Sequence, residues 1–366
     1  MVYLFHRKFQ IQVAQNSLYI SLKGSVKSLV KSSNLSVLQK MRAQKMSFAG
    51  FPTPVQRMPR LSKVLGGPRL FVKRDDMTDL AFGGNKARKL EFLFADAKNK
   101  GADVVISVGA VQSNCACMVA SAARRLGMKP VLVLVGKEPE VYDGNLLLDK
   151  LLSAEIHFIN SYGPHVEDFM NNLADRFREK GHNPYVIPAG ASIPSTVPGY
   201  ALAMEELVNQ FREIGENLDY VVCACGTGGT QAGLILGAKL LDIKTKILGA
   251  SVFASKADAS RTIAQLVNGS AKLLGVDLSI VPDEVTVFDD YIKEGYGVLN
   301  KEVTEAIELV AETEGIFLDP VYTGKAMAAL IDLIKKGYFK KDDNVVFFHT
   351  GGLPALFLYR SELSKA

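Results

Sequence analysis

Two glycine-rich turns, each between a strand-like and a helix-like stretch, are the first places where this sequence could bind a ligand. Residues 108–114 have the sequence VGAVQSN, and residues 225–230 have the sequence CGTGGT. Such a turn frees backbone N–H groups at a helix N-terminus, where the helix macrodipole favours a phosphate or a carboxylate. Thr227 and Thr230 add hydroxyl donors. Either turn alone could be an ordinary connection, but two in one sheet favour anion binding.

A dinucleotide is the first ligand to weigh for the second turn. The dinucleotide fingerprint G-x-G-x-x-G needs glycine at position 231, where Gln231 stands, and an acidic residue should end the following strand. No acidic residue ends the predicted strand 247–252. The nucleoside triphosphate pattern G-K-[ST] is also absent, since Lys325 is followed by Ala326. These departures favour a single phosphate group.

Lys86 directly follows the segment Gly83-Gly84-Asn85 at the start of a predicted helix. A helix N-terminus disfavours a positive charge, and that field together with burial lowers the pKa of a lysine amine. An amine with a lowered pKa can form an imine with an aldehyde. The alternative is a solvated basic helix start, which we predict for the neighbouring Arg88 and Lys89.

Three further polar turns, at residues 294–297, 319–325 and 348–352, individually carry less information. Among their side chains are the hydroxyls of Tyr296, Tyr322, Thr323 and Thr350. The four cysteines form two C-x-C pairs that could together bind a soft metal ion, but a buried strand position favours core packing. We therefore predict no metal site.

These turns must be positioned by an alternating series of strands and helices. Strands are predicted at 70–73, 104–108, 131–135, 156–159, 185–188, 220–224, 247–252 and 345–349. Helices are predicted at 85–100, at 113–126 with Ser113 as the cap, at 145–152, between the strands at 156–159 and 185–188, after 198, and at 230–241. Apolar strands separated by amphipathic helices predict an α/β fold with a parallel sheet covered on both faces.

Basic residues are concentrated at the N-terminus. Residues 1–74 contain 14 Lys or Arg and no Asp or Glu, whereas the rest of the chain has 29 basic and 38 acidic residues. The body therefore shows no nucleic-acid-binding footprint, and no apolar run approaches the ~20 residues of a membrane helix. Basic residues with apolar ones at helical spacing predict that 1–45 is a mitochondrial or plastid targeting leader, with a mitochondrial location expected. A disordered tail, or a true start at Met46 and a cytoplasmic protein, is the alternative.

Together these motifs resemble the pyridoxal-phosphate family that contains 1-aminocyclopropane-1-carboxylate (ACC) deaminase and D-cysteine desulfhydrase. The likeness runs from about Phe51 to Arg360. It implies a two-domain, three-layer parallel-sheet fold (fold type II, tryptophan synthase β-like) with pyridoxal 5'-phosphate between the domains. Residues 46–88 and 195–366 would form the large cofactor-binding domain and 89–194 the small α/β domain. The resemblance also implies a homodimer and a small amino-acid substrate.

The resemblance also implies a role for each motif residue. Lys86 would bind the cofactor covalently, and the cofactor phosphate would be held by Thr227, Gly228, Gly229 and Thr230. The ring hydroxyl of the cofactor would be contacted by Asn85 and Asn114. The substrate carboxylate would be bound by Ser113 with Gln112 and Asn114, and the two active-site tyrosines would be Tyr296 and Tyr322. The hydroxyls of Thr323 and Thr350 would lie beside the cofactor.

Two positions divide this family, and both favour one activity. ACC deaminases carry Glu after the second tyrosine and Leu after the final histidine, whereas this chain has Thr323 and Thr350, as D-cysteine desulfhydrases do. A neutral hydroxyl as a partner of the cofactor pyridine nitrogen makes the cofactor ring a weaker electron acceptor than a carboxylate partner does. Elimination of hydrosulfide needs less electron withdrawal by that ring than opening of a cyclopropane ring does. We therefore predict β-elimination of D-cysteine to pyruvate, hydrogen sulfide and ammonia. The alternatives are ACC deamination, a lyase for another β-substituted amino acid, or a non-enzymatic phosphate-ligand-binding protein.

Overall fold

Two sheets organise the molecule, whose computed structural model describes residues 32–160 and 162–364. The six-stranded sheet has the order β1-β2-β10-β7-β8-β9, and the four-stranded sheet has the order β5-β4-β3-β6. All strand pairs are parallel except β1 with β2. The strands are Val55–Arg57 (β1), Arg69–Arg74 (β2), Val104–Ala110 (β3), Lys129–Val135 (β4), Glu155–Ile159 (β5), Pro184–Ile187 (β6), Tyr220–Cys225 (β7), Lys246–Ser251 (β8), Thr286–Phe288 (β9) and Asn344–His349 (β10).

Helices cover both faces of each sheet. They are Ser32–Ala43 (α1), Pro59–Leu65 (α2), Lys86–Asn99 (α3), Asn114–Arg125 (α4), Gly144–Leu151 (α5), Pro164–Glu179 (α6), Pro198–Glu213 (α7), Gly229–Leu240 (α8), Lys256–Leu274 (α9), Lys301–Glu314 (α10), Thr323–Lys335 (α11), Leu353–Leu356 (α12) and Arg360–Leu363 (α13). Within the described part of the chain, none of them combines the length and the apolar character needed to cross a bilayer.

Alternation along the strands sends apolar side chains into both helix layers. In β7, Val221 and Cys223 pack with α1, α7, α8 and α9, whereas Val222 and Ala224 pack with α2, α10 and α11. The four-stranded sheet is built in the same way, with α3, α4 and α5 on one face and α6 on the other. The predicted three-layer parallel-sheet α/β fold is confirmed, with β1 as an antiparallel edge.

The fold begins earlier than predicted. Residues 1–31, on which most of the predicted leader falls, lie outside the described residues. In α1, however, Leu38 and Met41 are fully buried in the core, and the Asn34 side-chain amide donates to the Leu240 carbonyl at 2.8 Å. The prediction of a leader or tail through residue 45 therefore does not hold for 32–43, because this helix covers one face of the six-stranded sheet.

Met41→Ala is expected to lower the free energy of unfolding by about 2–5 kcal/mol, because it removes a fully buried side chain from a packed core. The matched control is Gln39→Ala, an exposed position on the same helix, which should change stability by no more than about 0.5 kcal/mol. Denaturant unfolding measures both. Equal stability of the two variants would contradict the packing of α1 on the body.

Asp149 in α5 is a buried carboxyl whose neighbour among the described residues is the Cys117 thiol. It is 0% exposed, and among the described residues no nitrogen or oxygen donor lies within hydrogen-bond distance of either carboxylate oxygen. Burial raises the pKa of Asp149 to about 7, although the Cys117 thiol beside it opposes the rise. The folded protein therefore binds a proton that the unfolded chain releases near pH 4.

This pKa predicts that the contribution of Asp149 to stability falls as the pH rises from about 4 to about 7 and then levels off, since the folded state binds the extra proton within that interval. Asp149→Asn should remove the fall and stabilise the protein at pH 8 by up to about 4 kcal/mol, with little effect near pH 4. Denaturant unfolding at both pH values measures this, with the exposed Asp168→Asn as control. A stability difference that does not vary with pH would contradict the prediction.

Candidate active site

A cavity of about 530 Å³ lies where β3, β7 and β10 end, between the two sheets. Parallel α/β sheets place ligand sites at the carboxyl ends of their strands. Most residues predicted for the site line this cavity: Asn85, Lys86, Ser113, Asn114, Thr227, Gly228, Gly229, Thr230, Tyr296, Tyr322 and Thr350. Gln112 and Thr323 do not line it.

Lys86 is the first residue of α3, and the preceding glycines dock that helix start against the end of β10. Gly83 has φ +76°, and a Cβ there would lie 1.9 Å from the Asp76 carbonyl oxygen. The backbone N–H of Asn85 donates to the Thr350 carbonyl at 3.1 Å. The Lys86 ammonium group is 3.0 Å from Asn85 Oδ1. Burial lowers the pKa of Lys86, as the sequence predicted, which raises the fraction of nucleophilic amine.

The turn before α8 forms a close cradle at a helix N-terminus. Gly228 has φ +79° at the N-cap. A Cβ on Gly229 would lie 2.6 Å from Ser192 Oγ and 3.0 Å from Lys89 Nζ, so a side chain would fill this space. The Thr230 hydroxyl accepts a hydrogen bond from the Asn85 amide at 2.9 Å, which links the cradle to the residue beside Lys86.

Lys89 is the main residue at this cradle that sequence reasoning missed. It is 1% exposed, and its ammonium donates to the Gly190 carbonyl at 2.8 Å and to the Ser192 hydroxyl at 2.9 Å. Among the described residues, no carboxylate lies within ion-pair distance of it. Burial lowers the pKa of Lys89 well below its usual range. A buried cation beside a helix N-terminus matches a phosphate dianion, so this cradle fits the phosphate of a cofactor.

Arg88 is also buried, so the predicted solvated helix start is wrong at both positions. The Arg88 guanidinium pairs with the Asp75 carboxylate at 2.8 Å and with the Glu206 carboxylate at 3.0 Å. Asp75 follows β2 and Glu206 lies on α7, so this network joins the helix that carries Lys86 to two other elements of the fold. Arg88 therefore has a structural role on the side of α3 away from the cavity.

The start of α4, a second candidate anion site, also lines the cavity through Ser113 and Asn114. Ser113 is its N-cap, as predicted, and accepts from the Ala116 N–H at 3.2 Å. The first N–H groups of a helix have no partner inside the helix and can bind a carboxylate. Asn114 is oriented by the Asn145 amide, which donates to Asn114 Oδ1 at 2.7 Å.

Gln112 lies behind the turn that leads into α4. Its amide nitrogen donates to the Asp143 carbonyl at 3.1 Å, and its amide oxygen accepts from the Asn145 N–H at 2.9 Å. Gln112 thus fixes the turn to the start of α5. Its side chain is placed to support the carboxylate site and not to contact the substrate predicted for it.

Two tyrosines share a hydrogen bond at the cavity. The Tyr296 and Tyr322 hydroxyl oxygens are 2.6 Å apart, and their rings meet edge to face. Burial raises the pKa of both phenols, so both keep their protons at neutral pH. Phe253 and Tyr162 complete the aromatic wall. Both were missed, although Phe253 lies just beyond β8, a position where the end of a parallel strand could have indicated it.

Thr350 and Thr323 have different environments. Thr350 follows β10 and lines the cavity. Thr323 is fully buried, and its hydroxyl donates to Asp319 Oδ1 at 2.7 Å while its N–H donates to the same oxygen at 2.9 Å. The expected contact of Thr323 with the cofactor is therefore not formed by this side chain, because Asp319 binds it at the start of α11.

The comparisons with known proteins agree with this geometry. The family described as "Pyridoxal-phosphate dependent enzyme" matches residues 46–351. The chain is 41% identical over 325 residues to the "Putative 1-aminocyclopropane-1-carboxylate deaminase" of Pyrococcus abyssi, covering 88% of this chain and 96% of that protein.

Solved structures show the same fold. The crystal structure of an ACC deaminase homologue superposes with a TM-score of 0.83 at 37% identity, covering 92% of this chain and 99% of that one. A fungal L-serine ammonia-lyase from Rhizomucor miehei has a TM-score of 0.64 at 19% identity, covering 87% and 99% of the two chains, which shows the fold alone.

These matches confirm the predicted family, fold and cofactor. The residues assigned to the cofactor phosphate and to its aldehyde lie together in one cavity. The chain therefore belongs to the pyridoxal-phosphate dependent enzyme family, in the fold type II branch that contains ACC deaminase and D-cysteine desulfhydrase.

Proposed function

We propose that this enzyme eliminates hydrosulfide from D-cysteine, with water consumed and pyruvate and ammonia formed. One observation carries the proposal: the described residues that line the cavity include two hydrogen-bonded tyrosines and Thr350 but no carboxylate. Proton donors are therefore available for a departing sulfur, whereas the cavity offers no charged partner for a cofactor ring nitrogen. That combination suits a substrate with a good β-leaving group.

Lys86 is the proposed base. When bound, pyridoxal phosphate supplies an electron sink that stabilises negative charge at the α-carbon of an amino acid. Burial lowers the pKa of Lys86, which raises the fraction of free amine that can accept the α-proton. Asn85 Oδ1, 3.0 Å from Lys86 Nζ, orients that amine.

The tyrosine pair is the proposed acid. A thiolate leaving the β-carbon needs a proton, and a phenol that stays protonated at neutral pH can give one. The hydrogen bond between Tyr296 and Tyr322 lets either hydroxyl replace the proton that the other has donated. Ser113, which lines the same cavity, and the first N–H groups of α4 hold the substrate carboxylate.

ACC deamination is the second candidate, favoured by the similarity to a putative ACC deaminase and to an ACC deaminase homologue. Opening a cyclopropane ring demands more electron withdrawal, which a carboxylate beside the ring nitrogen would support. Asp319 is the nearby buried acid, but its oxygens accept hydrogen bonds from the backbone of residues 321–323 and from the Thr323 hydroxyl. Because both Asp319 oxygens already accept these hydrogen bonds, D-cysteine is favoured over ACC as the substrate.

A three-substrate assay tests the proposal. The purified enzyme with pyridoxal phosphate is given D-cysteine, L-cysteine or ACC, and sulfide, ammonia and the 2-oxo acid are measured. We expect D-cysteine to give the highest kcat/KM, with sulfide and pyruvate in equal amounts. Faster turnover of ACC would assign the second candidate, and no turnover of any of the three would contradict both candidates.

A further inference from the structure

Lys325 is a fully buried lysine in the first turn of α11, outside the cavity wall. Its ammonium donates to the backbone carbonyls of Ile292, at 2.9 Å, and Gly295, at 2.5 Å. Both carbonyls belong to the segment 289–298, which we call the Tyr296 loop. A helix from one part of the fold thus holds the loop that carries an active-site tyrosine.

The position of Lys325 is unfavourable for a cation by itself. The first turn of a helix has the positive end of the macrodipole, and burial removes water from the ammonium. Among the described residues, no carboxylate forms an ion pair with it. A lysine at a buried helix start, where the macrodipole and the loss of water both disfavour its charge, is typical of residues that serve a functional site.

Tyr359 holds the other side of the same loop. Its hydroxyl donates to the Gly297 carbonyl at 2.5 Å. The carbonyls of Gly295 and Gly297, directly before and after Tyr296, are therefore both bound from outside the loop. Glycines at 295 and 297 have φ +126° and +74°, a backbone region that favours glycine. Other bonds hold the ends of the loop, such as that from the Tyr291 hydroxyl to Asp332, but the bonds to Gly295 and Gly297 are the ones that flank Tyr296 directly.

The hydrogen bonds from Lys325 and Tyr359 hold the loop where Tyr296 meets Tyr322. Tyr322 directly precedes α11, and Lys325 lies one turn further along the same helix. The helix that presents the Tyr322 hydroxyl therefore also fixes the carbonyl next to Tyr296, and the two hydroxyls meet at 2.6 Å. We infer that Lys325 and Tyr359 are positioning residues that hold the Tyr296 hydroxyl within proton-transfer distance of Tyr322. This inference rests on the proposed acid role of the tyrosine pair.

A double-mutant cycle tests the inference. Tyr359→Phe removes one hydroxyl, and we expect kcat for D-cysteine to fall about tenfold with KM changed less than twofold, since the misplaced group acts in the chemical step. Lys325→Met should lower kcat about 10²-fold for the same reason. In a Tyr296→Phe background, Tyr359→Phe should have less than a twofold further effect. The bound-cofactor absorbance should equal that of the wild type in every variant.

Tyr185→Phe is the matched control, because it also removes one hydroxyl bond, to Asp96, far from the cavity. It should leave kcat unchanged. If Tyr359→Phe lowers kcat tenfold both in the wild type and in the Tyr296→Phe background, the positioning role is overturned, but the proposed acid role is not. Full activity of both Tyr359→Phe and Lys325→Met would also overturn it. Full activity of Tyr296→Phe would overturn this role and the proposed acid together.

Discussion

Lys86→Ala is expected to lower kcat for D-cysteine by at least about 10²–10⁴-fold, the range that a positioned general base supplies. The same change removes the amine that holds the cofactor aldehyde, so the visible absorbance of the purified protein should shift from that of a bound imine to that of free aldehyde. Both effects follow from one observation: a lysine of lowered pKa projects into a cavity beside a phosphate cradle.

The matched control is Lys98→Ala, an exposed lysine on the same helix, which should retain wild-type kcat and absorbance. Borohydride treatment of the wild type, followed by peptide mapping, should fix pyridoxal phosphate on Lys86. Reduction onto a different lysine, or turnover by Lys86→Ala at the wild-type rate, would contradict the assignment of the anchoring amine.

The elements that carry the site could be predicted because their signals are local. Parallel strands buried on both faces are continuous apolar runs, and the predicted strand at 104–108 becomes Val104–Ala110. A hydroxyl residue before an apolar helix predicts a cap, and Ser113 caps α4. Glycine turns at strand ends predict an anion site, and both turns line the cavity.

The errors arise where the deciding partner is distant in sequence. Arg88 pairs with Glu206, 118 residues away, and Lys89 bonds to Gly190, 101 residues away. From the local pattern K-A-R-K both look like solvent-facing charges at a helix start. Likewise, nothing in the acid-free N-terminal segment indicates that Met41 packs on the six-stranded sheet. Tertiary contacts decided these positions, and the local sequence could not.

The long helices α9 and α10 were missed for a different reason. Residues 256–274 and 301–314 mix charged and small apolar side chains, so neither segment has a strong helical pattern of its own. Their apolar faces become clear only against the sheet layers that they cover. In the loop between them, the glycine-flanked turn drew attention to Tyr296, but only the family resemblance gave that residue a role.

Lys89→Met should change cofactor binding and apoprotein stability in opposite directions. Methionine keeps much of the length of the side chain and removes the charge. Hydrogen bonds to charged groups contribute about 1.5–3 kcal/mol, so the dissociation constant for pyridoxal phosphate should rise about 10–150-fold. Without the cofactor, the buried ammonium has no anionic partner among the described residues. Removing it should therefore leave the apoprotein equally or more stable.

Absorbance titration with pyridoxal phosphate measures the dissociation constant, and thermal unfolding with and without the cofactor measures both stabilities. In the wild type, the cofactor should raise the unfolding temperature by the amount that its affinity and concentration require, and Lys89→Met should lose most of that increase. Lys98→Met, at the exposed position on α3, should behave as the wild type. A less stable apoprotein with unchanged cofactor affinity would instead make Lys89 a packing residue, because a phosphate-binding cation contributes only when the phosphate is present.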